Sequence, residues 1–181
     1  MKIGAVILAA GEGKRFGSNK LLANIKGKAV VQYVLDAVNM ERVIVVGKYA
    51  KDLVEVIKND VVIYNPRWSE GISTSLKLGI RFFLDYDGVL VALGDMPFIT
   101  RETVNSITSK FSNECEAVVP TYRGMWGNPV ILSKSLFPDV MKIEGDIGAK
   151  VVLRQREKIC KVELGEEVVK DIDTISDLPS S

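Results

Sequence analysis

Short, unbroken apolar runs alternate with amphipathic stretches along the chain. IGAVILAA, from Ile3, has no polar interruption, as a central strand covered on both faces requires. RVIVVG from Arg42, VVIYNP from Val61 and GVLVALGD from Gly88 read as strands in the same way. Between them, residues Ala29 to Val38 and Ala50 to Lys58 carry helical periodicity. So do Gly71 to Leu84, where Ile72, Leu76, Leu78, Ile80 and Phe83 share the spacing. A helix from Arg101 to Phe111 precedes the strands EAVVPTY and NPVILS, then a short helix and the segment GDIGAK. The end reads as a strand pair, KICKVEL and VVKDIDT, before a loose SDLPSS tail. This alternation predicts an α/β fold on a mostly parallel sheet. No repeat, low-complexity segment or linker interrupts it, so residues 1–181 are expected to form one domain.

Composition narrows the chemistry. The chain contains no histidine, which excludes Ser-His-Asp and Cys-His catalysis and HExxH zinc sites. Carboxylates, Lys and Arg, backbone amides and bound metal remain. The 24 Lys and Arg nearly cancel the 23 Asp and Glu, so no overall positive field is present to hold a nucleic-acid backbone. The first strand begins almost at Met1 and no apolar run reaches bilayer length; neither a signal peptide nor a membrane partner is expected. Cys115 and Cys160 fit no CxxC spacing and are expected as two buried free thiols in a reducing cytoplasm.

The first strand runs straight into AAGEGKRFGSNKLL, and in an open α/β sheet that turn lies at the ligand-binding edge. Gly11, Gly13 and Gly17 let the backbone approach a phosphate, and Lys14, Arg15 and Lys20 add positive charge. The spacing fits neither a Walker A loop nor the dinucleotide GxGxxG turn. An ordinary glycine loop with solvated lysines would also account for this stretch taken alone.

LAAGEGKRFGSNKLL resembles the LAAGxGxRxGxxK signature of the MobA/MocA-like nucleotidyltransferases, and among them the molybdenum cofactor cytidylyltransferases. The resemblance implies a three-layer Rossmann-like sandwich of the nucleotide-diphospho-sugar transferase type. It also implies that the loop from Leu8 through Ala9, Ala10, Gly11 and Gly13 holds base and phosphates, with Arg15 and Lys20 on the triphosphate. Lys14 falls at a variable position and inherits no role. NPRWSEGISTSL, from Asn65, resembles the family's NPxWxxGMxxSL block and places Gly71, Ser73 and Ser75 at the nucleotide, where they could equally be simple helix capping. LGDMP places Asp95 at a strand's carboxyl end, and the resemblance implies a Mg²⁺ ligand there.

PTYRGMWGNPVILS resembles the PxYxGxxGxPV block bordering the acceptor, which nominates Gly127 and Asn128. Arg123 there is as readily a solvated loop residue as an acceptor contact. GDIGAK resembles GDxGAR and nominates Asp146 for the acceptor, with Lys150 where Arg is usual. In VKDIDT, Asp171 and Asp173 stand at alternate positions of an expected strand, facing one side, and Asp173 is a second metal candidate. Ile175 replaces the Pro usual after DIDT.

These blocks, in family order, imply transfer of CMP from CTP to the phosphate of molybdenum-bearing molybdopterin, with release of pyrophosphate. A transient contact with a molybdoenzyme that receives the product would follow. A guanylyltransferase, a sugar-phosphate nucleotidyltransferase and a non-catalytic nucleotide or cofactor carrier stand as alternatives. A nicotinamide oxidoreductase lacks the GxGxxG turn it needs.

Overall fold

The computed structural model describes residues 1–180. Its central sheet takes β1 (Ile3–Ala9), β4 (Arg42–Val46), β5 (Val61–Tyr64), β6 (Gly88–Leu93), β7 (Ala117–Tyr122), β9 (Val130–Ser133) and β10 (Ile159–Glu163) in the order β10-β7-β9-β6-β1-β4-β5. β8 (Met125–Trp126) folds back on β7, and β2 (Asn24–Ile25) pairs with β3 (Lys28–Ala29) in a separate small hairpin. β1 is parallel to both β4 and β6, β4 to β5, and β7 to β10; β9 and β8 run against their neighbours. The expected mostly parallel sheet is present.

β1 shows why its sequence is apolar throughout. Ala5, Ile7 and Ala9 join one core with residues of α1 (Val30–Ala37), α2 (Ala50–Val56) and α4 (Arg101–Lys110). Val6 and Leu8 join the other with α3 (Ile72–Ile80), α5 (Phe137–Val140) and α6 (Lys150–Leu153). Successive side chains point to opposite faces, so a strand with helices on both sides has no polar position to spare. Three layers result.

Several boundaries differ from the sequence pattern. The helix expected over Gly71 to Leu84 begins at Ile72 and tightens to a 3-10 turn over Arg81–Phe83. The terminal strand pair is not formed: KICKVEL yields β10, but VVKDIDT is a 3-10 turn (Glu166–Val169) followed by irregular chain. Its backbone groups have other partners. Val168 O accepts from Asn128 N at 2.8 Å, Ile172 N donates to Asp95 O at 2.8 Å, and Asp173 N donates to Asp177 Oδ2 at 2.9 Å. The expectation of two free thiols is also corrected. Parallel pairing lays Cys160 beside Val118, which brings it to Cys115, and the two form a disulfide with their Cα atoms 5.6 Å apart. Among the described residues no helix is long and apolar enough to cross a membrane.

Candidate active site

From β1 the chain first builds outward to β4 and β5, then returns to place β6 on β1's other side. The carboxyl ends of β1 and β6 therefore meet at a topological switch point, where open α/β sheets bind ligands. Register sets Leu8 beside Leu93, and Gly94 N donates to Leu8 O at 2.9 Å. The glycine loop leaves one strand and Asp95 follows the other. Between them opens a cleft of about 560 Å³, within the usual range for a small-molecule site.

Leu8, Ala9, Ala10, Gly11, Gly13 and Lys20 line one wall of this cleft. Gly13 takes a left-handed conformation (φ 63°), and its carbonyl accepts from Phe16 N and Gly17 N at 3.0 and 3.3 Å. The buried Phe16 ring anchors the turn to the core, leaving the preceding residues over the cleft. Asn19 Oδ1 accepts from Leu21 N and starts the 3-10 turn that carries Lys20. The Ala10 methyl packs toward Gly47, where any side chain would collide with it and with Trp68.

The opposite wall comes from Trp68, Gly71, Ile72, Ser75 and Asp146. Asn65, 1% exposed, organises it: its amide nitrogen donates to Thr74 Oγ1 and Ser75 Oγ at 2.8 Å, and its side-chain oxygen accepts from Arg67 N. Ser73 lies outside the lining and is fully buried. Its hydroxyl and amide both donate to Gly145 O, at 2.7 and 3.3 Å. Ile72 N donates to Asp146 Oδ1 at 3.2 Å. The first amides of α3 are thus occupied by the 145–146 turn. Gly71 sits at φ 112° directly beneath that turn.

Two ion pairs bridge the loop and the carboxylates. Lys20 Nζ meets Asp95 Oδ2 at 2.8 Å, with both side chains less than a fifth exposed, and the exposed Arg15 pairs with Asp173. The other oxygen of Asp95, Oδ1, is buried without a hydrogen-bond partner. Asp171 is exposed as a residue, yet partial burial of its carboxyl, and then the charge of Asp95, push it above its ordinary value, while Lys20 opposes the rise. Asp171 and Asp173 flank the fully buried Ile172, and the strand expected to turn both to one face is not formed. Among the described residues no three metal-binding side chains are drawn together. Mg²⁺ commonly uses one or two carboxylates plus substrate phosphates, so a partly buried, half-satisfied aspartate at the cleft fits such an ion.

Other nominated residues lie elsewhere. Gly127 N donates to Pro120 O, and a side chain at Gly127 would meet Val168; with the Asn128–Val168 bond this makes both residues part of the packing under the 166–169 turn, outside the cleft lining. Arg123 is exposed and lies over the Tyr122 ring. Lys150 donates to Trp126 O at 3.2 Å, and burial pushes its ammonium below its ordinary value. The sequence reading missed Glu12, Trp68 and Glu70 of the lining and the organising role of Asn65. All four lie inside the motif blocks, so the blocks were the available signal.

A family model described as MobA-like NTP transferase domain matches residues 5–159. The chain is 33% identical over 149 residues to a probable molybdenum cofactor guanylyltransferase of Thermococcus gammatolerans, across 77% of this chain and 73% of that protein. It is 35% identical over 146 residues to the bifunctional protein GlmU of Aquifex aeolicus, across 75% of this chain but 30% of that longer protein. A nicotine blue oxidoreductase of Paenarthrobacter nicotinovorans is 28% identical across 96% of this chain and 93% of its own. Among solved structures, the manganese complex of Rv0371c from Mycobacterium tuberculosis superposes with a TM-score of 0.82, covering 98% of this chain and 96% of that one at 23% identity. Likeness at that distance establishes the fold alone.

Proposed function

The chain belongs to the MobA-like NTP transferase family, and from that premise we propose that it transfers CMP from CTP to the phosphate of a molybdenum-bearing molybdopterin, releasing pyrophosphate. The observation that carries the transferase reading is the pairing of a loop cation with a strand-end carboxylate, Lys20 with Asp95, inside one cleft at the switch point. The reaction is in-line attack by an acceptor phosphate oxygen on the α-phosphorus, breaking its bond to the β-phosphate bridge. A phosphate monoester with a second pKa of about 6 is mostly dianionic at neutral pH, so no general base is needed. A chain without histidine can therefore supply all that is required.

The loop amides, Lys20 and Arg15 bind and neutralise the polyphosphate and the departing pyrophosphate. Asp95, with Asp173 as a second ligand in this reading, would hold a divalent ion, which supplies charge stabilisation at the α-phosphate and the leaving group. Mg²⁺ is the proposed ion. The manganese bound to the mycobacterial neighbour supports a divalent site of this kind. Asp146, at the cleft's far wall, faces the acceptor in this reading. Residues 1–181 act as one transferase domain in the cytoplasm, with a molybdoenzyme as the transient recipient of the product.

The choice of CTP rests on Ala10 and the GISTSL block, which resemble the cytidylyl branch. The Thermococcus relative favours GTP as a second reading. The Paenarthrobacter relative, matching nearly end to end, keeps a redox reading in view. A panel of CTP, GTP, UTP and ATP with molybdopterin acceptor, scored for pyrophosphate beside an NAD(P)H oxidation assay, decides among them. The proposal expects the highest kcat/KM with CTP. Equal or better use of GTP overturns the cytidylyl assignment, and nicotinamide turnover without pyrophosphate overturns the transferase one.

A further inference from the structure

The loop cations that would receive a polyphosphate are already engaged. Lys20 is bound to Asp95 at 2.8 Å, with the two side chains 17% and 18% exposed, and Arg15, outside the cleft lining, is bound to Asp173. The carboxylates that would receive a metal ion are engaged by the same two contacts. Glu12 and Lys14, also in the lining, are opposite in charge and add no net attraction for an anion. A nucleotide entering without metal must therefore strip Lys20 from Asp95, leaving a partly buried carboxylate beside the incoming phosphates and beside Asp171. Stranding one member of such a pair is costly. Metal entering without nucleotide meets the mirror-image obstacle, since the freed Lys20 ammonium would stand beside the ion.

We propose that these two ion pairs form a partner-exchange lock, resting on the transferase reading above. Nucleotide takes Lys20 and Arg15 as a divalent cation takes Asp95 and Asp173, and neither exchange is favourable alone. The two ligands then bind with positive coupling, and reciprocity requires each to strengthen the other by the same factor. The less exposed Lys20–Asp95 pair carries most of the coupling; the open Arg15–Asp173 pair, screened by water, carries less. The consequence is selective refusal: the cleft discriminates against free nucleotide although its loop is cationic.

Calorimetric titration with CTP and with GTP, in EDTA and in Mg²⁺, tests this on the parent, Asp95→Asn, Asp173→Asn, Lys20→Ala and the Asp95→Asn/Lys20→Ala pair. Asp95→Asn, catalytically impaired, should bind metal-free nucleotide about 10-fold more tightly than the parent, with the gap between EDTA and Mg²⁺ titrations narrowed accordingly. Asp173→Asn, on an exposed segment, should show a smaller gain and serves if Asp95→Asn does not fold by circular dichroism. In the Lys20→Ala background the gain from Asp95→Asn should vanish, because no lysine is left to release. Parent-like metal-free affinity in the folded variants overturns the lock. So does a gain of full size in the Lys20→Ala background, which would reduce the effect to loss of negative charge. Should the parent bind neither nucleotide even with Mg²⁺ and release no pyrophosphate, the transferase reading falls and the lock with it; binding by the parent without gain in the variants removes the lock alone.

Discussion

Replacing Gly71 by alanine tests the joint between α3 and the 145–146 turn. A Cβ built on Gly71 lies 2.5 Å from Asp146 N and nearer still to the Gly145 carbonyl, all of it backbone that no rotamer change can clear. The φ of 112° is itself costly for an L side chain, about 1–3 kcal/mol. To admit the methyl the turn must withdraw from the helix, giving up the two bonds from Ser73 to Gly145 O and the bond from Ile72 N to Asp146 Oδ1. At about 0.5–1.5 kcal/mol each, these bring the total to about 2.5–7.5 kcal/mol. For a chain of this size that is a fall in melting temperature of about 5–30 °C, read by thermal unfolding, with weakened nucleotide binding by calorimetry. Gly11→Ala is the matched control. Its Cβ meets no heavy atom within 4 Å and its φ is ordinary, so stability should hold while the methyl obstructs a phosphate at the loop. A Gly71→Ala melting point within about 2 °C of the parent would show that the helix does not depend on this joint.

Asp95→Ala should retain its circular dichroism, because the bond from Ile172 uses the Asp95 backbone carbonyl, yet lose roughly a thousandfold or more in pyrophosphate release. A folded variant with near-normal rate would remove Asp95 from the metal role. Lys20→Ala should cost about 1.5–3 kcal/mol in kcat/KM with Mg²⁺ nucleotide, and the exposed Arg15→Ala distinctly less. Equal losses, or none, would contradict the burial difference between the two cations. Replacing both Cys115 and Cys160 by serine frees a crosslink spanning 45 residues, worth about 4 kcal/mol by loop-closure entropy. Urea unfolding of the variant against the oxidised parent reads this directly, and an unchanged midpoint would show that the crosslink does not restrain the unfolded chain.

Strand positions were legible because both-face burial leaves an unambiguous mark: Ile3 to Ala9, Val43 to Val46 and Gly88 to Leu93 are apolar throughout and all became core strands. The sheet edge was less legible. VVKDIDT carries the same local pattern as a strand, but its amides find Asp95 O and the Asp177 side chain, partners no local spacing announces. The disulfide was hidden for a related reason, since Cys115 and Cys160 become neighbours only once β10 chooses β7 as its partner. Within the site, motif blocks brought Lys20, Asp95, Ser75 and Asp146 to one cleft. They also drew in Gly127 and Ser73, whose small size serves close packing against Val168 and Gly145 rather than a ligand. A glycine or serine kept for a ligand and one kept for a tight joint look alike in one dimension.

The place of β1 at the centre of the sheet also sets an order of assembly. Its partner β4 lies about 40 residues further along, whereas β6, on its other side, arrives only with residues 88–93. A chain emerging from a ribosome can therefore pair β1 with β4 and β5 well before β6 exists, leaving one long apolar edge of β1 open. Every wall of the cleft but the glycine loop belongs to later chain, and the carboxylates at 171 and 173 come last of all. Until then the half-built sheet is in the state where misassembly is easiest, with no completed site for a ligand to stabilise.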